Sequence, residues 1–551
     1  MQLYWHLQML SQHLNHLNVY SRRCAMFERL KEWFRTLFKQ KGGVNVKESY
    51  TELLMKDKWE PLNDILKEHD KILLDIEKRQ NIFDGDFEIL KRPKKRDDDP
   101  NHRIVVNYSK LICGMPASYM LGKPVSYDVP DTVIDKGVSK EVVEEFREQL
   151  KHVLEENEDH AVDYLNTKRG LIAGAATVLF YFDEFGEIKY KSYPINECFP
   201  VFDYKGDMLA AIHRYKDRVG DEEVEYVEVY DAATVTYLVH ENGSFVMDKR
   251  YTTNPVIHSI PVVPAAYFQN GEFAKPRGGK IQYGPSNLSD DVISQLEELA
   301  RLVSDNSNRL DVFCDPYLAF IGEYPDKDKM LEMRKSRGIG IKGKPGVNVD
   351  VKYLIADMKN EPIEWQAKTI IDSIFETSQL PKIYKQEALG DLSGVAIEQL
   401  YAPLDLQVNE KEIYLLRYIR RKFMIITLML NAQKLIANKH KNPAEALKET
   451  LNPRNENNDL YNHKWIWWEI HRNKPQNVKE LVEMIMKLGN VELSEFTLLQ
   501  LLPFVEDVQE ELKRKEKEAA EKQEVDLTNI ENHINNRDKR MQKSDKTDDE
   551  L

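Results

Sequence analysis

The sequence predicts an α+β protein that is built from several structural units. Three observations lead to this prediction: the length of 551 residues, a series of short strand patterns between residues 173 and 264, and long helical patterns on both sides of that region. One hydrophobic core rarely grows beyond about 250–300 residues, so a chain of this length contains more than one unit. Apolar residues make up 42% and charged residues 31% of the chain, which is typical of globular proteins.

The overall charge limits which partners the chain can hold. It has 78 basic and 92 acidic residues, and its formal net charge is −14. A protein that grips nucleic acid over a large area usually has a basic excess. The charge therefore argues against a non-specific DNA coat, although it is compatible with a local basic patch.

The cysteines and histidines do not predict a metal site. No C-x-x-C pair and no H-E-x-x-H motif occurs, and the acidic run Asp97–Asp99 has no histidine partner at ligand spacing. We expect reduced, mostly buried thiols in a cytoplasmic product, and neither a metal nor a cofactor. The cysteines concerned are Cys24, Cys113, Cys198 and Cys314.

The N-terminal extension, residues 1–45, contains one amphipathic pattern. From Met26, which is a second candidate start of the product, apolar side chains recur at helical spacing among basic residues. This pattern fits a membrane surface, but docking onto its own protein or onto a neighbour is the favoured interpretation. The longest apolar run, Phe423–Leu430, is far shorter than the roughly 20 residues that a bilayer requires, so no membrane association is expected.

The first half of the chain predicts helices followed by an antiparallel sheet. Residues 46–100 predict a helix followed by the charged, exposed loop Lys91–Pro100. Helical spacing is also found in a segment that begins at Ile104 and stops at Gly122 and Pro124, and in residues 139–170. A strand is predicted at Val125–Val129. Between residues 173 and 264 the pattern predicts a hairpin and a meander, with strands at Val178–Phe182, Ile188–Tyr193, Val224–Val229, Thr234–Val239 and Phe245–Met247.

The second half of the chain predicts long helices around a small insert. In residues 286–313, apolar side chains alternate by four and three, which predicts packing against a partner helix. Short strands and glycines fill 315–357, a second helix follows at 361–379, and a polar break at 380–393 leads to a third helix, 394–435, interrupted at Pro403. The side chains of the predicted seam are Val292, Leu296, Leu299, Val303, Asn306, Leu310 and Phe313.

The end of the chain predicts a strand, two helices and a polar tail. A loop at 450–462 precedes a tryptophan-containing strand at His463–His471. Helices are predicted at 476–489 and 494–524, and the tail 525–551 is expected to be disordered.

One glycine motif suggests nucleotide binding but lacks the required context. Gly338, Gly340, Gly343 and Lys344 match G-x-G-x-x-G and the first seven positions of a P-loop. However, Pro345 stands where a P-loop needs Ser or Thr, and a strand-like segment follows instead of a helix. No H-R-D and no D-F-G tripeptide occurs. Glycines at strand turns are the favoured interpretation, and we expect no enzyme activity.

In the order of these elements the chain resembles the portal proteins of tailed double-stranded-DNA phages, in the group common among siphophages of Gram-positive bacteria. The resemblance covers about residues 46–524 and depends on order and spacing rather than on one motif. The passages that carry it are Arg103–Ser109 with Tyr119–Val125, Leu288–Asp311, Leu380–Ile397 and Trp468–Asn477.

The resemblance implies a division of the chain into the regions of a portal subunit. These are an α/β wing, a two-helix stem, a small strand-rich clip, a long kinked helix and a helical crown. The implied boundaries are 46–285 for the wing, 286–314 and 358–379 for the stem helices, 315–357 for the clip, 380–393 for a tunnel loop, 394–475 for the long helix and its return to the wing, and 476–524 for the crown.

The resemblance also implies a function and its partners. Such proteins form rings, usually of twelve subunits, that conduct DNA at one capsid vertex during packaging and ejection. The expected partners are further copies of the chain, double-stranded DNA, the terminase large subunit, the major capsid protein, the scaffolding protein and the head–tail adaptor. The protein would be assembled in the host cytoplasm and reside in the virion.

The tunnel loop is the part of the subunit that would meet DNA. Its lysines could touch phosphates transiently, while its acidic residues would prevent a strong grip, so that DNA slides. The residues concerned are Lys382, Lys385, Gln386, Glu387 and Asp391. Two alternatives stay open at this point: another ring of the head–tail connector, and a nucleotide-dependent enzyme that uses Gly338–Lys344.

Overall fold

A computed structural model describes most of the chain between residues 50 and 474. The described ranges are 50–94, 100–258, 260–274, 279–314, 317–321, 326–328, 350–354, 361–382, 394–438, 446–447, 451 and 460–474, with isolated positions at 498–499 and between 511 and 517. The predicted N-terminal extension, the motif Gly338–Lys344, the loop residues Lys385–Asp391 and nearly all of 476–551 lie outside these ranges.

The chain divides into two compact units. The first comprises residues 1–382 and 402–473, and the second comprises residues 383–401 and 474–551. Every described strand belongs to the first unit. The described part of the second unit includes residues 394–401, which are the first turns of the helix Gly394–Ala437.

Eight α-helices lie in the described ranges, and their apolar faces supply much of the core. The first turn of α4 is capped by the Ser139 side chain, which accepts a hydrogen bond from the Val142 N–H. The helix α2 ends at Gly85, whose φ of 100° is the left-handed conformation that glycine adopts most readily. The helices are α1 (Tyr50–Leu54), α2 (Lys56–Asp84), α3 (Ser109–Leu121), α4 (Lys140–Glu156), α5 (Asp159–Ala173), α6 (Asp290–Cys314), α7 (Glu361–Thr377) and α8 (Gly394–Ala437).

All described strand pairs are antiparallel. The largest sheet has the order β4-β5-β6-β7-β8, with β9 also pairing β7, and a three-stranded sheet has the order β10-β2-β3. Two further pairs are β1 with β13 and β11 with β12. The strands are β1 (Ser126–Asp128), β2 (Ala175–Phe182), β3 (Ile188–Pro194), β4 (Cys198–Phe202), β5 (Met208–Val219), β6 (Glu222–Tyr230), β7 (Thr234–Glu241), β8 (Ser244–Met247), β9 (Val256–Ile257), β10 (Ala265–Gln269), β11 (Tyr317–Ile321), β12 (Asp350–Leu354) and β13 (Trp467–Glu469).

One hydrophobic core of the described residues lies between α2 and one face of the six-stranded sheet. Leu62 and Ile65 of the helix share this core with Phe199, Ile212 and Val227 of the sheet, and all five side chains are buried. Burying a large aliphatic or aromatic side chain contributes about 1.5–3 kcal/mol. Cys198 and Ala211, which are the sequence neighbours of Phe199 and Ile212, belong to a second buried cluster, as expected for side chains that alternate between the two faces of a sheet.

The mixed helix and sheet content confirms the α+β prediction. The predicted hairpin is β2 with β3, in a register that pairs Phe180 with Tyr190, and the predicted meander is β6-β7-β8. The strand at Val125–Val129 is confirmed as the shorter β1.

Three predictions about element boundaries were wrong. The helix expected over 139–170 is two helices, because Glu158 adopts a left-handed conformation with φ 48°. The strand expected over 463–471 is a 3₁₀ turn followed by the three residues of β13. The long helix is not interrupted at Pro403: Gly394–Ala437 is one element that includes this proline, and Leu404 and Val408 in the turns after it are buried.

Candidate functional site

Two helices bracket a small antiparallel hairpin in the second half of the chain. The helices α6 and α7 pack against each other, and β11 and β12 pair between them in sequence, with Tyr317 opposite Leu354 and Ile321 opposite Asp350. This is the arrangement of paired helices around a strand insert that the sequence predicts. The glycines Gly338, Gly340 and Gly343, together with Lys344, fall outside the described residues of this insert.

The predicted seam on α6 has two different halves. Val292, Leu296 and Leu299 are at most 1% exposed, so their partners lie within the chain itself. Toward the hairpin, Val303 is half-buried and Leu310 is 43% exposed. The chain itself therefore covers the first half of the seam, and the second half presents apolar surface that it leaves partly exposed.

The start of the predicted loop 380–393 is fixed by the end of α7. The Leu380 N–H donates to the Phe375 carbonyl at 2.9 Å, and the Gln379 N–H donates to the Glu376 carbonyl at 3.2 Å. Gln379 has a φ of 52°, which completes the Schellman arrangement at the end of a helix. Leu380 and Phe375 are both buried, as this motif requires. The chain therefore leaves the helix in a defined direction.

Lys382, the first charged residue of the predicted loop, is held by carboxylates of α7. Its Nζ lies 3.0 Å from Glu376 Oε1 and 3.3 Å from Asp372 Oδ1. Partial burial lowers the pKa of Lys382, but the hydrogen bonds to Glu376 and Asp372 outweigh it and the pKa is raised. The loop residues Lys385, Gln386, Glu387 and Asp391 lie outside the described residues.

The helix α8, which follows the loop, is anchored to α5 by a buried ion cluster. Lys422 is fully buried, and its Nζ lies 2.5 Å from Asp163 Oδ2 and 2.8 Å from Asp159 Oδ2. The Tyr418 hydroxyl donates to Asp163 at 2.7 Å, and the Tyr190 hydroxyl donates to Asp159 at 2.6 Å. Burial raises the pKa of Asp163 to about 6, although Lys422 acts in the opposite direction.

Two more cations on α8 are buried against neutral oxygens. Lys411 donates to the side-chain oxygens of Asn270 and Asn287, each at 2.8 Å, and burial lowers its pKa to about 8. Arg421 donates to the backbone carbonyls of Ala265 and Val263, and burial lowers its pKa to about 10. These contacts join the helix to the strand β10 and to the residues before α6.

These three cations were not identified from the sequence. A signal was present in the run Arg420-Arg421-Lys422, because successive helical positions point about 100° apart and cannot all face solvent. Arg420 is exposed, whereas Arg421 and Lys422 turn toward the interior. The eight residues that follow, Phe423–Leu430, are apolar except for one threonine and also predict a helix that is buried on every side.

Neither a metal centre nor a membrane span is present in the described ranges. There, no group of three or more His, Cys, Asp or Glu side chains is placed to hold a metal ion. No helix of those ranges is long and apolar enough to cross a membrane. Cys113 and Cys198 are buried free thiols, and burial raises the pKa of Cys113 to about 12.

Comparison with known proteins gives two matches. The family model described as "Phage portal protein, SPP1 Gp6-like" matches residues 62–525, which is more than four fifths of the chain. The portal protein of Bacillus phage SPP1 is 23% identical over 460 residues, and the alignment covers 81% of this chain and 81% of that protein. The match to the family model includes the bracketed hairpin, the loop after α7 and the long helix.

Proposed function

Because the chain belongs to the phage portal protein family of the SPP1 Gp6-like type, we propose that its copies close into a ring, of twelve subunits, around a channel for double-stranded DNA. As a portal protein it acts as the DNA conduit at the portal vertex. One observation supports the ring geometry most directly: a pair of contacting helices brackets a hairpin and leads, through a loop with a fixed start, into a 44-residue helix. In this assignment the helix pair is the stem and the hairpin is the clip.

Exposed apolar side chains indicate where neighbouring subunits would meet. Leu310 near the end of α6 and Trp365 near the start of α7 are 43% and 69% exposed, and both lie close to the hairpin in sequence. On α8, Leu406 and Ile413 are 67% and 54% exposed and lie seven residues apart, which places them on one helical face. Large exposed apolar side chains that recur in this way are typical of an interface.

The loop 380–393 is proposed to project into the channel. Only its root is fixed by the contacts described above, and the remainder combines Lys385 with Glu387 and Asp391. Exposed ion pairs with phosphate are weak and screened by salt, so a loop of mixed charge lets DNA slide. The chain's net charge of −14 fits the same requirement, because a conduit must not hold DNA tightly.

The remaining partners follow from the same assignment. The clip, with Gly338, Gly340, Gly343 and Lys344, would serve as the docking surface for the terminase large subunit and for the head–tail adaptor. The wing would contact the major capsid protein and the scaffolding protein. Subunits would assemble in the host cytoplasm, and the finished ring would reside in the virion.

The chain is proposed to have no enzyme activity of its own. The alternative of a nucleotide-dependent enzyme requires Lys344 to hold a phosphate, although Pro345 stands where the magnesium-binding Ser or Thr is needed. We expect purified Lys344→Ala and unchanged protein to behave alike in an ATP hydrolysis assay. Hydrolysis that the substitution abolishes would overturn this expectation.

The test of the channel assignment is deletion of residues Lys385–Asp391. The deletion leaves the helix-end motif at Gln379 and Leu380 intact, so we expect rings of normal size in electron micrographs. DNA packaged per head should fall. The matched control is Tyr204→Ala with Lys205→Ala, which removes an aromatic and a lysine side chain from an exposed turn elsewhere and should leave packaging unchanged.

Two outcomes would refute the channel assignment. Normal packaging by the deletion variant would show that the loop does not act on DNA. Failure of the deletion variant to form rings would show that the loop belongs to the subunit interface instead.

A further inference from the structure

An open groove with an acidic lining lies between α2 and the start of α6. Its volume is about 440 Å³, and it is lined by Leu74, Glu77 and Asn81 of α2 and by Asp290, Ile293 and Glu297 of α6, among others. Leu74 is 75% exposed, so a large apolar side chain of the groove faces solvent. The groove therefore offers both an exposed apolar side chain, Leu74, and negatively charged side chains.

The charges of this groove are unbalanced. Five acidic side chains line it against two lysines, which leaves a net charge of −3. The lysines are already engaged, because Lys78 pairs with Asp290 at 3.0 Å and Lys91 pairs with Asp86 at 3.2 Å. Glu297 accepts a hydrogen bond from the Glu88 N–H at 3.1 Å, and burial raises its pKa. A cationic segment with apolar side chains would fit this groove. The five acidic residues are Glu77, Asp86, Glu88, Asp290 and Glu297.

The chain contains a segment with the complementary properties. Residues 26–41 carry five basic and two acidic side chains, a net charge of +3, and their apolar residues recur at helical spacing. The apolar residues are Phe27, Leu30, Trp33, Phe34, Leu37 and Phe38, and the basic residues are Arg29, Lys31, Arg35, Lys39 and Lys41.

The chain between the segment and the described residues is about as long as the distance along α2 to the groove. Nine peptide units join Lys41 to Tyr50, where the described chain begins, and an extended chain of that length spans about 30 Å. From Lys56 at the start of α2 to Leu74, the helix rises by about 27 Å. The match to the family model begins only at residue 62, so the segment lies outside the part of the chain that this model covers.

From these observations we propose that residues 26–41 dock as an amphipathic segment in the groove between α2 and α6. Its apolar face covers Leu74, and its basic residues lie against the acidic lining. Docking would place the N-terminal extension over the start of the proposed first stem helix. The groove and the segment define this contact whether or not the loop 380–393 meets DNA, so the two proposals can fail separately.

The test is site-specific photo-cross-linking in the full-length chain. A photoreactive phenylalanine analogue replaces Trp33, and the cross-linked peptides are identified by mass spectrometry. We expect cross-links to peptides that contain Leu74 and Ile293, either within one chain or between adjoining copies. Raising NaCl from about 0.05 M to about 0.5 M should reduce the yield, because exposed charge pairs are screened over that range.

Charge reversal shows whether the contact depends on the acidic lining. Glu77→Lys with Glu88→Lys changes two exposed residues and should lower the cross-linking yield about tenfold. Arg29→Glu with Arg35→Glu should do the same, and the four substitutions together should restore the yield. Glu148→Lys, at an exposed position on α4, is the matched control and should have no effect.

Several outcomes would overturn the proposal. Cross-links that map elsewhere, or a yield that charge reversal in the groove does not change, would show that the segment does not dock there. A different result would identify a membrane surface as the partner instead. In that case the protein would float with phosphatidylglycerol vesicles, Arg29→Glu with Arg35→Glu would abolish flotation, and no cross-link to the groove would form.

Discussion

Substitution of Lys422 tests the ion cluster that anchors the long helix. Lys422→Met keeps the length and apolar stem of the side chain but removes its charge. The variant leaves two carboxylates, Asp163 at 1% and Asp159 at 14% side-chain exposure, without their cation. Breaking a buried ion pair by removing one partner typically costs about 3–5 kcal/mol, because a charge remains buried without compensation.

An upper limit to this cost follows from protonation. The variant can escape the unpaired charge if Asp163 takes up a proton, and each pH unit above 3.8, the ordinary pKa of an aspartate, costs about 1.4 kcal/mol. The limit per carboxylate is therefore about 6 kcal/mol at pH 8 and about 2 kcal/mol at pH 5.5. When the pKa of a carboxyl group is higher in the folded than in the unfolded state, the free energy of unfolding of the protein falls as pH rises. The loss caused by Lys422→Met should thus be largest at high pH and shrink on acidification.

The assay is equilibrium unfolding in urea at pH 8 and at pH 5.5, with tryptophan fluorescence as the signal that reports the folded fraction. Arg417→Met on the same helix is the control, since Arg417 pairs with Glu272 at 3.8 Å and both side chains are more than 60% exposed. Such a surface pair contributes at most about 1 kcal/mol. Adding Asp159→Asn and Asp163→Asn to Lys422→Met should recover most of the lost stability. A loss no larger than that of the control, or one that grows on acidification, would refute the reasoning.

Two further predictions concern the stem and the start of the loop. Leu299→Glu should prevent folding, because it buries an unpaired charge in the chain's own core. Leu310→Glu should fold normally, as measured by circular dichroism. It should fail to form rings, as measured by light scattering. Rings formed by Leu310→Glu would remove this part of the seam from the interface. Gln379→Gly should raise the free energy of unfolding by about 0.5–1 kcal/mol, because glycine adopts the left-handed conformation with φ 52° without a steric penalty. Gln379→Ala is its control, and equal urea midpoints for the two variants would contradict the account of the helix end.

The hairpin, the meander and the helix pair could be predicted from the sequence because each depends on local periodicity. The apolar run of β2 and the alternation of apolar and polar residues in β3 specify a strand pair, and the turn at Asp183–Gly186 specifies their connection. The break between α4 and α5 was missed, since a left-handed non-glycine residue such as Glu158 has no strong sequence signature. Tertiary packing decides such a position, not local propensity.

The buried half of the seam was harder to assign for a different reason. A stripe of apolar residues predicts that a helix face is covered but does not identify what covers it. Val292 and Leu299 are covered within the chain, whereas Leu310 is not, although all three belong to one periodic pattern. Only the structure separates the part of a helix that stabilises the subunit from the part that is available to a neighbour.

The long helix α8 also has one part that is buried within the chain and another part that is exposed. The cations Arg421 and Lys422 lie in the buried part. Its later turns, from Tyr418 to Leu430, are buried on nearly every side, so the helix cannot place Arg421 and Lys422 in solvent. Carboxylates and carbonyls of the neighbouring elements satisfy these cations, which fixes both the rotation and the axial position of the helix. The earlier turns instead expose Leu406 and Ile413 on one face. A helix whose register is fixed in this way presents that apolar face at the same place in every copy of the chain, as the repeated contacts of the proposed ring require.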